Sequence, residues 1–227
     1  MPNTMLTIKN VSRHFGSGDS RVDAVKDADF SIKPGELVAL VGPSGSGKST
    51  LLSMAGALLR PSDGQVLLGD DDISKLKGTD RTRLRLERMG FIFQGSNLVS
   101  YLTAIEQLQF IGRMLGQDNK EVSKRAEGLL EELGMDKRMN HYPEQMSGGE
   151  RQRIAIARSL MNEPEVILAD EPTASLDSDR GRQVVELLAN EVHGRNTAGI
   201  VVTHDERLLD LVDRVLRITD GEVSEDS

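Results

Sequence analysis

A glycine-rich segment between an apolar run and a helix-like segment constrains this chain most. Residues 37–41 form a compact apolar run that predicts a buried strand, and residues 51–59 form an apolar segment that predicts a helix. Between them the chain follows the pattern of Gly, four residues and Gly-Lys-Ser, which is typical of a phosphate-binding loop. The positions assigned to this loop are Gly42, Pro43, Ser44, Gly45, Ser46, Gly47, Lys48, Ser49 and Thr50.

The chemistry of phosphate binding explains the spacing of this loop. Glycines let backbone N–H groups turn toward a phosphate, and the positive end of the following helix favours an anion. Lys48 can reach the terminal phosphates, and the Ser49 hydroxyl can ligate Mg²⁺. The pattern therefore predicts a nucleoside-triphosphate site. A small-molecule kinase would share it, and a flexible Gly/Ser loop is the alternative.

A second apolar run ends in two carboxylates. Residues 166–169 predict a buried strand, and Asp170 and Glu171 follow at its carboxyl end. A carboxylate at that place suits a Mg²⁺-linked site beside a phosphate loop, and Glu171 is placed to act as general base on an attacking water. The alternative is a pair of solvated carboxylates before a turn at Pro172.

Composition excludes several classes of protein. The chain has 227 residues, a formal net charge of −8 and no cysteine. This excludes disulfide scaffolds and thiolate metal sites, and it argues against a partner nucleic acid held by bulk positive charge. No apolar run approaches the length of a membrane span, and residues 1–5 lack the pattern of a secretory signal. We therefore expect a cytoplasmic protein, or one held at a membrane by a partner.

Strand-like and helix-like patterns alternate along the chain and predict an α/β fold. Strands are expected at residues 6–11, 29–32, 36–41, 65–68, 165–169 and 198–202, and a hairpin at 214–223. Helical spacing dominates at residues 102–115, 122–133 and 151–160, which predicts a helical insertion in an α/β core. A further helix is expected at residues 179–190.

A second glycine-rich helix start follows at residues 146–153. Ser147 stands at an N-cap position, and Gly148 and Gly149 leave backbone amides open to an anion. One triphosphate does not need two such starts from one subunit. A head-to-tail dimer, however, would place this start over the nucleotide held by the partner.

With these motifs in order, the chain resembles the nucleotide-binding subunit of an ATP-binding cassette (ABC) transporter across residues 4–224. The segment from Met146 to Glu150 is similar to the family signature, with Glu150 where Gln is usual. The resemblance implies one domain over residues 1–227: a P-loop ATPase core with a mixed sheet and an antiparallel β subdomain (residues 1–94 and 161–227), and an inserted α-helical subdomain (95–160) that carries the signature.

The resemblance also implies roles for individual residues. Gln94 matches the glutamine that senses Mg²⁺ and the attacking water, and His204 matches the switch histidine at the γ-phosphate. Ser175 and Asp177 match the loop that communicates across the dimer, and Phe15 stands where an aromatic ring stacks on adenine. The alternatives are a turn amide for Gln94, a structural histidine for His204 and a packed core ring for Phe15.

ATP and Mg²⁺ are the implied substrate and metal, with Ser49, Gln94 and Asp170 as the metal-side residues. Two chains would sandwich two ATP molecules. Each ATP would lie between Lys48, Glu171, Gln94 and His204 of one subunit and residues 147–150 of the other.

The motifs resemble most the branch of macrolide, lipoprotein, peptide and haem exporters, in which the subunit drives a membrane permease from the cytoplasmic face of the membrane. Only Glu106 is charged between residues 89 and 112, so we expect residues 97–101 and the next helix to receive the permease; an internal helix is the alternative. The arginines at 81, 83, 85 and 88 predict a solvated helix face, with contact to anionic lipid as the alternative.

Two other functions compete with export. A regulatory ATPase of the cell-division type, which transmits a signal without cargo, would have nearly the same sequence. A DNA-repair or ribosomal ATPase is disfavoured by length. The cargo itself is not encoded in this chain.

Overall fold

The computed structural model describes residues 4–225. The prediction that residues 1–5 form no secretory signal therefore concerns three residues, 1–3, outside the described part. Within residues 4–225 the strands are β1 (Leu6–Phe15), β2 (Val22–Ile32), β3 (Leu37–Val41), β4 (Asp63–Leu68), β5 (Asp71–Asp72), β6 (Met89–Phe93), β7 (Val166–Asp170), β8 (Ala198–Val202), β9 (Arg214–Thr219) and β10 (Glu222–Glu225). The α-helices are α1 (Lys48–Ala55), α2 (Gly78–Arg88), α3 (Ala104–Met114), α4 (Asn119–Glu132), α5 (Gly148–Ser159) and α6 (Ser178–Arg195).

The strands form one mixed sheet in the order β5-β4-β1-β2-β10-β9-β3-β8-β7-β6. At one end, β1 pairs antiparallel with β2 and β4, and β4 pairs antiparallel with β5. At the other end, β9, β3, β8, β7 and β6 run parallel to one another. The two parts meet where β10 pairs with β2. The expected mixed α/β fold with an antiparallel β portion is confirmed.

Helices cover both faces of the parallel strands, which explains why these strands are continuous apolar runs in the sequence. Along β3, Val38 and Leu40 point into the core under α1, and Leu37, Ala39 and Val41 point into the core under α5 and α6. Because the strand is pleated, its side chains alternate between two separate cores. Every residue of β3 and β8 is buried.

The helices between β6 and β7 share the second core with the sheet. Leu108 of α3, Leu130 of α4 and Ile156 of α5 are fully buried in it. This part of the chain has no strand between Gln94 and Glu165, as the helical spacing predicted. Among the described residues, no helix combines the length and the apolar character that a membrane crossing needs.

Several boundaries differ from the sequence predictions. The helix expected at residues 51–59 spans Lys48–Ala55, because its first turn is polar and belongs to the glycine-rich loop. The strand expected at residues 29–32 is eleven residues long and begins at Val22. The helix expected at residues 151–160 begins at Gly148, directly after its N-cap Ser147.

The arginine run lies on α2, but its expected solvated face is wrong for two of its members. Arg88 forms ion pairs with Glu165 and Asp71, and Arg85 donates to the carbonyl of Ala57. Arg83 does lie on an exposed face, where it pairs with Glu87. Arg88 thus fastens α2 to the sheet, and Arg85 fastens it to the loop after α1.

Candidate functional site

The glycine-rich loop connects β3 to α1 and lies directly against neighbouring backbone. Gly42 has φ of 151° and Gly47 has φ of 110°, which L-residues with side chains rarely adopt. A Cβ added at Gly42 would lie 2.1 Å from the carbonyl oxygen of Ile218, and one added at Gly47 would lie 2.2 Å from that of Ala24. The loop therefore depends on glycine at both positions to hold its curve against β9 and β2.

Polar groups in this loop are poised for an anion. The buried Lys48 ammonium donates to the carbonyls of Gly42 and Pro43 at 2.8 and 2.7 Å, inside the curve of the loop. In the described part of the chain, no side chain caps the N-terminus of α1. The buried Ser46 hydroxyl has no hydrogen-bond partner among residues 4–225. Open donors at a helix start, with a lysine beside them, form an anion-binding site.

A hydroxyl and a carboxylate meet at the edge of this loop. Ser49, in the first turn of α1, donates from Oγ to Oδ1 of Asp170 at 3.3 Å. Burial raises the pKa of Asp170, the nearby Glu171 charge adds to the rise, and the Ser49 hydrogen bond and the Lys48 charge oppose it. Oxygen donors of this kind are the ligands that Mg²⁺ prefers. The pair fits the predicted metal, whose charge would also compensate the half-buried carboxylate.

Glu171 and His204 complete the wall of the same cavity. Glu171 follows β7 with a left-handed backbone (φ 46°), and its N–H donates to the carbonyl of Val202 in β8. His204 follows β8, and its Nδ1 lies 3.6 Å from Glu171 Oε1. Both side chains line a cavity of about 330 Å³ together with the glycine-rich loop. The sequence placed these groups on separate segments, and the parallel sheet brings them together.

Sequence reasoning missed two supports of this cavity. Ala24 of β2 lines it, and Gly221 in the β9–β10 turn donates its N–H to the carbonyl of Ser46. Neither residue carries reactive chemistry, so nothing in its own sequence position indicates a role. Both act through backbone that is distant in the chain.

Gln94 and Phe15 lie outside the lining of this cavity. Gln94 is exposed directly after β6, and the pairing of Phe93 with Asp170 places it level with Glu171. Phe15 ends β1 with 43% of its surface exposed and with the Arg13 guanidinium 4.6 Å from its ring centre. The alternative of a packed core ring is therefore wrong for Phe15.

The second glycine-rich helix start lies at the N-terminus of α5 and satisfies two of its own donors. Ser147 Oγ accepts from the Glu150 N–H at 3.2 Å, and Glu150 Oε2 accepts from the Ser147 N–H at 2.8 Å. Arg138 donates to Glu150 Oε1 at 2.7 Å. The Ser147 backbone hydrogen bond, followed by Arg138, lowers the pKa of Glu150 to about 2. Glu150 thus turns toward its own helix start, and Arg138 is a partner that the sequence did not indicate.

The segment containing Ser175 and Asp177 lies beside this helix start. The side chain of Leu176, between them, lies where a Cβ on Gly148 would approach it to 3.0 Å. Asp177 caps α6 by accepting from the N–H of Arg180. Both Ser175 and Asp177 are exposed, together with Ser147. They lie on a surface of this chain rather than in the phosphate cavity.

Comparisons with known proteins agree on one family. The family model described as ABC transporter matches residues 25–174. A protein named putative hemin import ATP-binding protein HrtA, from Staphylococcus haemolyticus (strain JCSC1435), is 48% identical over 218 residues, covering 96% of this chain and 98% of that protein. Its namesake from Staphylococcus aureus (strain MRSA252) is 46% identical over 220 residues, covering 97% and 99%.

Solved structures agree with the sequence matches. The ATP-binding cassette MJ0796, in a dimeric post-hydrolysis state bound to ADP and Pi, superimposes with a TM-score of 0.87 at 37% identity, covering 98% of each chain. The protein cbiO1 from Clostridium perfringens, part of an ABC transporter complex, gives a TM-score of 0.89 at 28% identity, covering 98% of this chain and 87% of that one. The chain belongs to the ABC transporter family, as an ATP-binding subunit that hydrolyses ATP.

Proposed function

We propose that the cavity at the glycine-rich loop holds Mg²⁺–ATP, and that this chain hydrolyses it to drive a membrane permease. One observation carries the site assignment: Lys48, Ser49, Glu171 and His204 all line a single cavity of about 330 Å³. The loop amides and Lys48 bind the phosphates, with Ser44, Gly45 and Thr50 lining the same cavity. Ser49, Asp170 and Gln94 hold Mg²⁺, which would neutralise charge on the terminal phosphates.

Glu171 acts in this proposal as the general base toward the attacking water. Its carboxylate lies beside His204 in the wall of the cavity, where it would face the bound phosphates. His204 orients the γ-phosphate, and Gln94 reaches the water and the metal from the adjacent strand. Phe15 offers an exposed ring to adenine.

Replacing Glu171 with Gln tests the assignment of the base. The amide keeps the size of the side chain and removes its ability to accept a proton. We expect ATP binding to persist and turnover to fall about 10²–10⁴-fold, which is the usual contribution of a general base. Glu163→Gln is a matched control, since Glu163 lies just beyond the C-terminal end of α5 and pairs with Arg125. Multiple turnover by Glu171→Gln at the wild-type rate would refute the base.

Two copies of the chain close head to tail over two ATP molecules in this proposal. Three observations support it: one chain has two glycine-rich helix starts, the second of them is exposed at Ser147, and the MJ0796 cassette is dimeric with ADP and Pi. Ser147, Gly148 and Gly149 then face the partner's phosphates. Glu150 holds Ser147 in place, and Ser175 and Asp177 contact the partner. Sedimentation of Glu171→Gln with and without ATP tests this proposal, which requires the dimer to form only when ATP is present.

The permease docks, in this proposal, in a groove between α2, β6 and α3. A cavity of about 390 Å³ there is lined by apolar side chains, including Leu58, Phe91 and Phe110. Tyr101 and Phe110 are 77% and 50% exposed. Leu98, in contrast, packs against the second core, so its replacement would test folding rather than docking. A charge-poor apolar patch of this kind suits a protein partner.

Phe110→Asp should abolish co-purification with the permease and leave ATP binding by the chain unchanged, because Phe110 is half exposed in the groove lining. Tyr142 is another exposed aromatic residue, 42% exposed and outside the groove lining, so Tyr142→Asp is the matched control. Intact complex in Phe110→Asp would exclude this groove as the docking site, and intact complex in Tyr101→Asp would exclude docking at residues 97–101.

We propose haem as the cargo, moved outward by the permease. The motifs resemble the exporter branch, and the relatives in Staphylococcus carry a name that specifies hemin and the opposite direction, import. Transport by the chain with its permease in inside-out vesicles separates the two. ATP-dependent haem accumulation in the lumen supports export, and ATP-dependent loss of preloaded haem supports import. ATP hydrolysis that haem does not change would favour peptide or lipoprotein cargo, or the regulatory function without cargo.

A further inference from the structure

One arginine of α5 is not explained by the proposed chemistry. Arg158 lies in the last turn of α5, and burial lowers its pKa. Among residues 4–225, no carboxylate lies within ion-pair distance of its guanidinium, unlike Arg125 or Arg138. A desolvated charge without an acidic partner is costly, so its hydrogen bonds identify what it stabilises.

Arg158 donates both of its observed hydrogen bonds to the loop that follows Gln94. Its guanidinium donates to the carbonyl of Ser96 at 2.9 Å and to that of Asn97 at 2.7 Å. Both of these loop residues have left-handed backbones, with φ of 55° and 48°. Asn adopts this conformation readily, but in Ser96 it is costly and persists because the surroundings hold it. Arg158 supplies that restraint from a separate element.

The same helix holds the loop at a second point. Gln152, which is 2% exposed, donates from Nε2 to the carbonyl of Phe93 at 3.3 Å. Gln94 therefore lies between two attachments to α5, at Phe93 on one side and at Ser96 on the other. Ser147 caps the N-terminus of this helix. One rigid element thus fixes the loop of Gln94 and carries the signature serine.

The loop also forms part of the docking groove. Asn97 and Arg158 both line the cavity between α2, β6 and α3, next to Phe93. A partner that presses on this wall would move Asn97, and through Arg158 it would move α5. The planar guanidinium of Arg158 holds two carbonyls at once, which gives the connection between the loop and α5 a defined geometry.

We infer that Arg158 is a positioning residue that holds Gln94 in its working position and transmits displacement of the groove wall to the nucleotide site. This inference rests on the proposed role of Gln94 in ATP hydrolysis. Arg158 itself touches neither nucleotide nor metal. Its loss would let the Ser96–Asn97 backbone relax, so that Gln94 would reach the attacking water less often.

The test compares kcat and KM for ATP in Arg158→Met, Gln94→Ala and the double variant of the full chain. We expect Arg158→Met to lower kcat by roughly 2- to 30-fold, the usual range for residues that couple sites. KM should stay within about twofold, because the glycine-rich loop is untouched. In the Gln94→Ala background, Arg158→Met should cause no further loss. Arg158→Lys should recover part of the rate, since an ammonium can still reach one carbonyl.

Arg125 provides a closely matched control. It donates to the carbonyls of Leu160 and Met161, directly after the same helix, and it does not touch the loop of Gln94. We expect Arg125→Met to lower the melting temperature about as much as Arg158→Met while keeping the wild-type kcat. Equal kcat values in the two variants, or losses that multiply in the double variant, would overturn the inference.

The failures of the two proposals are distinguishable. Turnover by Glu171→Gln at the wild-type rate would refute the proposed function whatever Arg158 does. An inactive Glu171→Gln together with a wild-type rate in Arg158→Met would refute only the positioning role. If Arg158→Met does not fold, the same comparisons of kcat and KM are made with Arg158→Lys, because that variant keeps the positive charge and the aliphatic part of the side chain.

Discussion

The molecule has two glycine-rich helix starts, and they are built in opposite ways. At α1, Gly47 has a left-handed backbone, no side chain among residues 4–225 caps the helix, and the loop lies against β2 and β9. At α5, Ser147 and Glu150 cap each other, and both glycines have ordinary negative φ values. A Cβ on Gly149 would meet nothing closer than the Arg180 side chain at 3.8 Å.

The difference shows how much of a phosphate site each start contains. The start at α1 leaves its backbone donors open and brings its own lysine, so it can bind phosphates within one chain. The start at α5 satisfies the N–H groups of Ser147 and Glu150 internally, so it is stable without a ligand, and in the proposed dimer the partner supplies its phosphate. Adding a methyl group at Gly47 should therefore damage the first start from within, and adding one at Gly149 should leave the second intact until two chains meet.

Among substitutions at the two helix starts, the largest effect, on ATP affinity, is expected from Gly47→Ala. The new Cβ would lie 2.2 Å from the Ala24 carbonyl oxygen, at a φ of 110°. Such strain costs about 1–3 kcal/mol, and each 1.4 kcal/mol is tenfold in affinity. We expect ATP to bind roughly 10- to 100-fold more weakly, measured by calorimetry, and the melting temperature to fall by several degrees.

Gly45→Ala separates the clash from the backbone preference. Gly45 also has a positive φ, of 79°, but a Cβ there would meet nothing within 4 Å. We expect a clearly smaller loss of affinity than in Gly47→Ala. ATP binding by Gly47→Ala at the wild-type level would show that contact with β2 does not shape the phosphate loop.

A smaller and different effect is expected from Gly149→Ala. Its site has room for a methyl group, and alanine is favoured over glycine in helices by up to about 1 kcal/mol. The melting temperature should therefore stay equal or rise by a few degrees, and one chain should bind ATP normally. Turnover should fall, because in the proposed dimer the partner's phosphate packs against the backbone of this helix start, which an added methyl group crowds.

Gly128→Ala is the control for the helix effect alone. Gly128 lies on α4, where a Cβ would meet nothing within 4 Å, far in the chain from both helix starts. It should gain stability without losing turnover. Wild-type turnover in Gly149→Ala would contradict a phosphate-facing role for the α5 start.

The two starts also show what the sequence could predict. Both motifs consist of consecutive residues, so their spacing alone identifies them. Asp170 and Glu171 were also predictable, because an apolar strand brings its last residues to a known edge of the sheet. The α/β fold followed from the alternation of strand-like and helix-like patterns, and the mixed sheet with its antiparallel portion followed from the resemblance to the ABC family.

What the sequence did not reveal depends on contacts between distant segments. Arg138 reaches Glu150 from a separate 3₁₀ turn, and Arg158 captures carbonyls about sixty positions earlier in the chain. Every residue type carries a backbone carbonyl, so no sequence pattern identifies the one that accepts such a hydrogen bond. The boundaries of α1 were missed for a related reason, since its first turn serves the loop and carries no apolar face.

The smallest effect is expected from Glu150→Gln, which tests how the α5 start supports itself. Gln also completes a capping box, so only the negative charge is lost, which faces the Ser147 N–H and Arg138. The folded-state pKa of Glu150 is about 2, below its ordinary value of 4.5. A lowered carboxyl pKa adds stability above the ordinary pKa, and that stability is lost as the pH falls toward 2.

We therefore expect Glu150→Gln to melt a few degrees below wild type at pH 7, and the two curves to converge between about pH 4.5 and 2. Thermal melts across this range measure the gap, and Glu144→Gln, at an exposed site in the preceding turn, should show none of it. A gap that is constant with pH would mean that the amide disturbs the cap by shape rather than by charge. In that case the charge of Glu150, and with it Arg138, would contribute nothing to the self-sufficiency of the α5 start.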